Sequence, residues 1–170
     1  MKNYVNFEAL ITTLFNRMSS VCLHNAIHVI FDSYLPLSLK GPERESRGKL
    51  ILQLSRIDDR TPIPQQIEKF WNSIENKVML QKYAAKRFLI LAEESQKDVI
   101  ISGVVIDGVE IACQQFQPGQ GVVNINELKS SIEEADHRII PHIFWSIQQG
   151  HHSFVVISND TDALNLGYVS

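Results

Sequence analysis

Cysteine is scarce in this chain of 170 residues, which has only two, Cys22 and Cys113. They are far apart in the sequence and form no Cys-x-x-Cys pair, so the pattern of a disulfide framework or of a cysteine zinc site is missing. Two isolated thiols are typical of a protein kept in a reducing compartment. We therefore expect an intracellular protein, and the sequence does not discriminate between cytoplasm and nucleus.

Long apolar runs and an excess of basic charge are missing as well. No apolar stretch reaches the roughly 18 residues of a membrane span, and the amphipathic N-terminus has no signal-peptide core. The formal net charge is −3, so any binding of phosphate groups must come from a local basic patch. With 44% hydrophobic and 21% charged residues, the chain has the composition of one globular domain without a membrane partner.

Helical and strand-like patterns alternate along the chain. Helices are predicted at 7–18, 65–76, 76–94 and from the acidic cluster near 134 onward. Strands are predicted at 26–31, 98–106, 110–116 and 154–157, with Asp107-Gly108 as a hairpin turn. Apolar strands alternating with helices indicate an α/β layer fold with a largely parallel sheet.

Acidic residues follow the predicted strands or open a helix. They are Asp32 after the strand at 26–31, Glu133, Glu134 and Asp136 at a helix start, and Asp160 and Asp162 after the strand at 154–157. In open α/β sheets, ligands bind beyond the carboxyl ends of the strands, so we expect these carboxylates to converge at one edge. Hard oxygen ligands suit Mg²⁺ or Mn²⁺, and a pair of such ions is a common device for cutting phosphodiesters.

Ordinary structural roles could also account for part of this pattern. The spacing Ser-x-x-Glu occurs twice within 130–134 and is that of a capping box, which explains Glu133 or Glu134 without a metal. Asp and Asn are also common in turns, which could explain 158–162. At about 100° per residue, Asp136 lies on the apolar stripe of its helix and would need a buried partner, either a metal ion or an arginine.

Three segments together resemble a known group of nucleases. VIFDSY (29–34), EADHRI (134–139) and ISNDTDAL (157–164) look like the PIN-like nuclease superfamily, in its flap-endonuclease and 5′-to-3′ exoribonuclease branch. The longer stretches LKSSIEEADHRI and VVISNDTDAL are also similar to uncharacterised PIN-like proteins associated with animal repetitive elements. The resemblance runs from Ile27 onward, and its motifs are specific only in combination.

The resemblance implies a three-layer PIN-like fold and a metal-dependent nuclease, with Mg²⁺ or Mn²⁺ as cofactor. Its substrate would be DNA or RNA, in single-stranded or flap form. The implied catalytic and metal-binding residues are Asp32, Glu134, Asp136, Asp160 and Asp162, with Glu133 as an additional acid. The implied nucleic-acid contacts are Lys40, Arg44, Arg47 and Arg138.

The first three of these basic residues have the spacing of one helical face, within a predicted arch-like insertion at 36–94. Gly41 and Pro42 also permit a plain solvated loop at that position. Both readings stay open on the sequence alone.

The chain also departs from the family pattern at both ends. The family opens with a strand that ends in aspartate, and no aspartate precedes Asp32 here. We therefore expect one PIN-like domain over 1–170 that lacks its first strand and is incomplete at both ends. We expect weak or no cleavage from such a fragment. The alternatives are a catalytically inactive PIN-like module that binds protein or nucleic acid, and a non-functional remnant of such a gene.

Overall fold

The structure is a computed structural model that describes residues 4–21, 26–34 and 50–157. A four-stranded sheet forms its centre, in the order β1-β2-β5-β6. The strands are β1 (Ile27–Ile30), β2 (Val99–Ser102), β5 (Cys113–Gln117) and β6 (Gly121–Ile125). A separate hairpin pairs β3 (Val105–Ile106) with β4 (Val109–Glu110).

The sheet is mixed. β1 and β2 are parallel, whereas β2 with β5 and β5 with β6 are antiparallel. Only a short turn joins β5 to β6, and such a connection permits antiparallel pairing alone. The α/β class predicted from the sequence is confirmed, but the expectation of a largely parallel sheet is wrong for the part of the chain described.

Four α-helices accompany the sheet within the described ranges. They are α1 (Phe7–Val21), α2 (Ile67–Trp71), α3 (Ile74–Ser95) and α4 (Ala135–Gln148), and a 3-10 turn spans Asn126–Leu128. The predicted helices are confirmed with shifted ends. α3 begins after Ser73, whose Oγ accepts a hydrogen bond from the Asn76 N–H at 3.1 Å. In the ranges described, no helix combines the length and apolar character needed to cross a membrane.

The core has two parts, one on each face of the sheet. Val99 and Ile101 of β2 pack with α1 and α3, where Phe15 and Phe88 stack at 6.3 Å between ring centroids. Ile100 points the other way, because successive strand residues face opposite sides. It packs with a smaller cluster that Trp145 of α4 covers.

The expected orientation of α4 is wrong. Its buried residues are Arg138, His142 and Ser146, which are spaced four apart and so share one face. Ile140 and Ile147 of the predicted apolar stripe are each 37% exposed, so that stripe is not the buried face of the helix. The polar face can be buried because each of its side chains finds a polar partner on β1 or β4, as described below.

The second buried strand predicted at 154–157 is also missing. The structure has no strand there, and Val155 and Ile157 are 65% and 62% exposed. By contrast, the predicted hairpin turn is confirmed. Asp107 and Gly108 adopt φ angles of 50° and 77°, which two-residue turns between twisted strands require.

Candidate metal centre at the start of helix α4

The carboxylate of Asp32 lies against the N-terminus of α4. Asp32 follows β1, and its Oδ1 accepts a hydrogen bond from the Ala135 N–H at 2.9 Å. Next to it, the Ser33 N–H donates to the Glu133 carbonyl at 2.7 Å. Asp32 is thus placed beside the first acidic cluster, although 103 positions separate Asp32 from Ala135. That its carboxylate shares an ion with those of Glu134 and Asp136 stays a prediction.

Three side chains at the start of α4 offer ligand atoms close together. One oxygen each of Glu134 and Asp136 and one ring nitrogen of His137 all lie within 4.8 Å of one another. The two carboxylates are partly buried, while His137 and Asp32 are exposed. Oxygen-rich groups of this kind suit Mg²⁺ or Mn²⁺, and the exposure leaves room for water ligands. Sequence reasoning noted His137 only as part of a motif and did not predict it as a ligand.

The capping-box explanation of the two glutamates is wrong. α4 begins at Ala135, and Glu134 occupies the N-cap position without a capping bond from its side chain. The Ser130 hydroxyl instead accepts from the Ile132 N–H at 3.1 Å, before the helix starts. A carboxylate from β1, that of Asp32, takes up one of the free N–H groups of the first turn. Asp136 accepts a second N–H of this turn, that of His137, at 2.8 Å, so Asp32 and Asp136 rather than the two glutamates satisfy the helix start.

A buried ion pair beneath the acidic cluster holds these segments together. Arg138 and Glu110 are only 1% and 5% exposed in their side chains. The guanidinium binds the carboxylate through two bonds, from Nη1 to Oε1 at 2.5 Å and from Nη2 to Oε2 at 2.6 Å. Nη2 also donates to the Ser33 hydroxyl at 2.8 Å, and Nε donates to the Ile132 carbonyl at 2.6 Å. One side chain thus links β4, the end of β1 and the approach to α4.

This geometry corrects two expectations. Arg138 is buried and fully engaged, so the prediction that it contacts nucleic acid is wrong. The buried charge that needs a partner is that of Arg138, and its partner is Glu110. Asp136 is not buried and lies half-exposed at the surface. Sequence reasoning missed Glu110. The available signal was a lone carboxylate directly after a hairpin turn, at the start of an apolar strand pattern.

Five of the predicted site residues fall on chain segments that the structure does not describe. They are Asp160, Asp162, Lys40, Arg44 and Arg47. That the two aspartates complete the acidic cluster, and that the basic residues contact phosphate, therefore stay predictions.

A pair of histidines lies under the other end of α4. The Nδ1 atoms of His28 and His142 are 2.8 Å apart, so one must donate and the other accept. The Ser146 hydroxyl lies 3.4 Å from His28 Nε2, which fits a proton on that nitrogen. We infer that His142 donates from Nδ1 and His28 accepts, because the buried His142 Nε2 has no partner and an unpaired acceptor costs less than an unpaired N–H.

The pair keeps both imidazoles neutral. Burial first, and then His151, lower the pKa of His28 to about 4. Burial, His28 and Arg138 lower the pKa of His142 to about 3. Unfolding exposes both rings and returns their pKa values to about 6.5. The unfolded chain therefore binds more protons than the folded one below that pH.

We expect the histidine pair to make its full contribution to the free energy of unfolding above about pH 6.5. This contribution should fall as the pH drops below that value. Each ring can contribute a slope of up to about 1.4 kcal/mol per pH unit. Urea denaturation at pH 7.5 and pH 5.0 measures this, in a range where most carboxylates stay ionised. A His142→Gln variant should show a shallower slope, and His152→Gln, an exposed control, should keep it. Equal slopes in all three proteins would contradict the neutral pair.

Comparisons with known proteins add no relative. No protein-family model matches the chain, and neither the curated proteins nor the solved structures yielded a significant match.

Proposed function

We propose that this chain is a PIN-like domain that hydrolyses phosphodiester bonds of DNA or RNA with Mg²⁺ or Mn²⁺. The observation that carries the proposal is that Glu134 and Asp136 offer ligand oxygens within 4.8 Å of each other at the start of α4, while Asp32 binds the Ala135 N–H of the same turn. Asp32 and the two acids of α4 come from distant parts of the chain, and the side chain of Glu134 makes no capping bond. Two core clusters on opposite faces of the sheet support the three-layer PIN-like arrangement, although the mixed sheet is less parallel than expected.

The donor set fits such an ion. Carboxylate oxygens predominate, the cluster is open to solvent, and like charges at this spacing repel one another without a cation. Bound there, a divalent ion supplies an activated water and stabilises the leaving oxygen. Asp32, Glu134 and Asp136 would hold it, with His137 as a further ligand and Asp160 and Asp162 as proposed additional ones. The Arg138–Glu110 pair keeps the end of β1 and the start of α4 in register.

Binding of Mn²⁺ should raise the melting temperature of the protein. A ligand present at 100 times its Kd adds about 2.7 kcal/mol to the folded state. Asp136→Asn keeps the shape of the side chain but removes a charge, so we expect it to abolish most of the gain. Glu94→Gln removes an exposed charge from α3 and should leave the gain intact. Thermal melts with and without millimolar Mn²⁺, at constant ionic strength, compare the three proteins.

Cleavage is the second measurement. We expect slow, Mn²⁺-dependent cleavage of labelled single-stranded DNA or RNA, which EDTA and Asp136→Asn each remove. An unchanged melting curve in Mn²⁺ would refute the metal centre. A Mn²⁺ shift without cleavage of single-stranded or flap substrates would refute the nuclease and favour the inactive PIN-like binding module.

A further inference from the structure

We propose that a second surface, the groove between residues 55–60 and α3, binds the phosphate backbone of single-stranded nucleic acid. We call it the α3 groove; it has a volume of about 790 Å³. Its charged and aromatic lining consists of Arg56, Asp58, Asp59, Arg60, Lys82, Tyr83, Lys86 and Arg87. None of these residues belongs to the proposed metal centre or to the basic stretch at 40–47.

The charge of the groove is opposite to that of the chain. Five cationic side chains face two carboxylates there, whereas the whole protein carries −3. The cations outnumber the acids on this concave surface, and a cleft with an excess of one sign of charge attracts counter-ions.

The two carboxylates are used within the groove wall. Asp58 accepts hydrogen bonds from the Thr61 hydroxyl at 2.9 Å and the Arg60 N–H at 3.0 Å, and these bonds, that of Thr61 first, lower its pKa. Asp59 accepts from the Tyr83 hydroxyl at 2.9 Å. These bonds fold the loop on itself and tie it to α3. The acids also neutralise part of the groove, because Asp58 pairs with Arg56 at 3.1 Å and Arg87 pairs with Glu8 at 3.2 Å, which leaves Arg60, Lys82 and Lys86 as the cations to consider.

Several of the cations remain available for a ligand. Arg60 and Lys86 are exposed, and neither side chain forms an ion pair with any residue that the structure describes. Lys82 has only a 4.0 Å contact with Asp107, whose side chain is 94% exposed, and such a contact is worth little in water. Lys82 and Lys86 lie one helical turn apart on the same face of α3. A phosphate chain along that face could contact both.

The aromatic ring in the groove favours a single strand over a duplex. Tyr83 is partly exposed, and its hydroxyl is held by Asp59, so the ring is fixed beside the cations. An aromatic ring next to a basic track is the usual platform for unpaired bases, which stack on it whatever their identity. Bases within a duplex are already stacked on one another and cannot use such a ring.

Helix α3 also connects the groove to the metal centre. Gln81, which precedes Lys82, donates from Nε2 to the Asp32 carbonyl at 2.7 Å. The helix that presents the groove cations therefore also supports the strand end that carries Asp32. The inference rests on the proposed function in one respect, because it assumes that the strand bound in the groove is the one that the nuclease cuts. Binding itself can be measured without any cleavage.

The test uses fluorescence anisotropy of fluorescein-labelled dT20 and U20, with EDTA present so that no strand is cut. We expect the intact protein to bind at least one of them. The double variant Arg60→Gln/Lys86→Gln should raise Kd about tenfold or more and reduce the salt slope by about 1.4, which is the value for two lost contacts to a single strand. The control Arg17→Gln/Lys129→Gln removes the same charge from exposed positions outside the groove and should leave Kd within twofold.

The possible results separate the two proposals. Binding that depends on Arg60 and Lys86, without any cleavage in Mn²⁺, upholds the groove and refutes the nuclease. The groove assignment is overturned if the intact protein binds neither oligonucleotide, or if the groove variant and the control bind equally. It is also overturned if a 20-base-pair duplex or a polyglutamate peptide competes as well as unlabelled dT20.

Discussion

An Arg138→Met variant is expected to lose about 3–5 kcal/mol of unfolding free energy, the usual cost of removing one partner of a buried ion pair. Arg138 is 1% exposed, and its partner Glu110 is 5% exposed. The variant leaves the Glu110 carboxylate without a cation in a site that water does not reach. It also removes the donors that Ser33 and Ile132 accept from. Urea denaturation at pH 7 measures the loss.

The same variant should weaken the metal centre, because the lost bonds hold the end of β1 beside α4. We therefore expect a smaller Mn²⁺ shift in melting temperature, provided the variant is still folded in the assay. Adding Glu110→Leu should restore much of the stability, since exchanging a whole buried pair for apolar groups is often neutral. Arg17→Met, at an exposed position, should change stability by less than about 0.5 kcal/mol. A loss below about 1 kcal/mol for Arg138→Met would show that the ion pair is not buried, because removing one partner of a buried pair costs more than that.

Gly103→Ala is expected to lower the free energy of unfolding by about 3 kcal/mol, through a backbone effect and a steric effect. A second glycine, Gly119, separates the two. Gly103 has φ of +83°, and an added Cβ would lie 2.1 Å from the Phe31 carbonyl oxygen. Left-handed backbone costs a residue with a Cβ about 1–2 kcal/mol, and overpacking adds about 1–3 kcal/mol. Gly119 has φ of +80° and open space around it, so Gly119→Ala should show only the first cost.

The steric cost at Gly103 also bears on function, because Phe31 directly precedes Asp32. Any shift that relieves the contact moves the strand end that carries the carboxylate. We expect Gly103→Ala to lose part of the Mn²⁺ shift and Gly119→Ala to keep all of it. Chemical denaturation and thermal melts of the two variants provide both readouts. Equal stability of the two variants would argue against the close approach of Gly103 to β1.

Features that depend on neighbouring residues were predictable. The apolar spacing of 7–18 predicted α1, and Asp107-Gly108 predicted a two-residue turn, because both signals lie within a few positions of one another. Asp32 was predicted at the end of a strand for the same reason. Its position after a strand also predicted that Asp32 lies near the start of the acidic helix, and Asp32 accepts the Ala135 N–H there.

The sequence by itself determined the helices and the hairpin turn. Only the tertiary structure decided which face of α4 is buried. The local pattern favoured the apolar stripe, but Arg138 pairs with Glu110, 28 positions away, and His142 with His28, 114 positions away. Burial of a polar side chain becomes favourable only when its partner is in place. Likewise, the apolar run at 154–157 has strand propensity, but a strand also requires a neighbour to accept its hydrogen bonds.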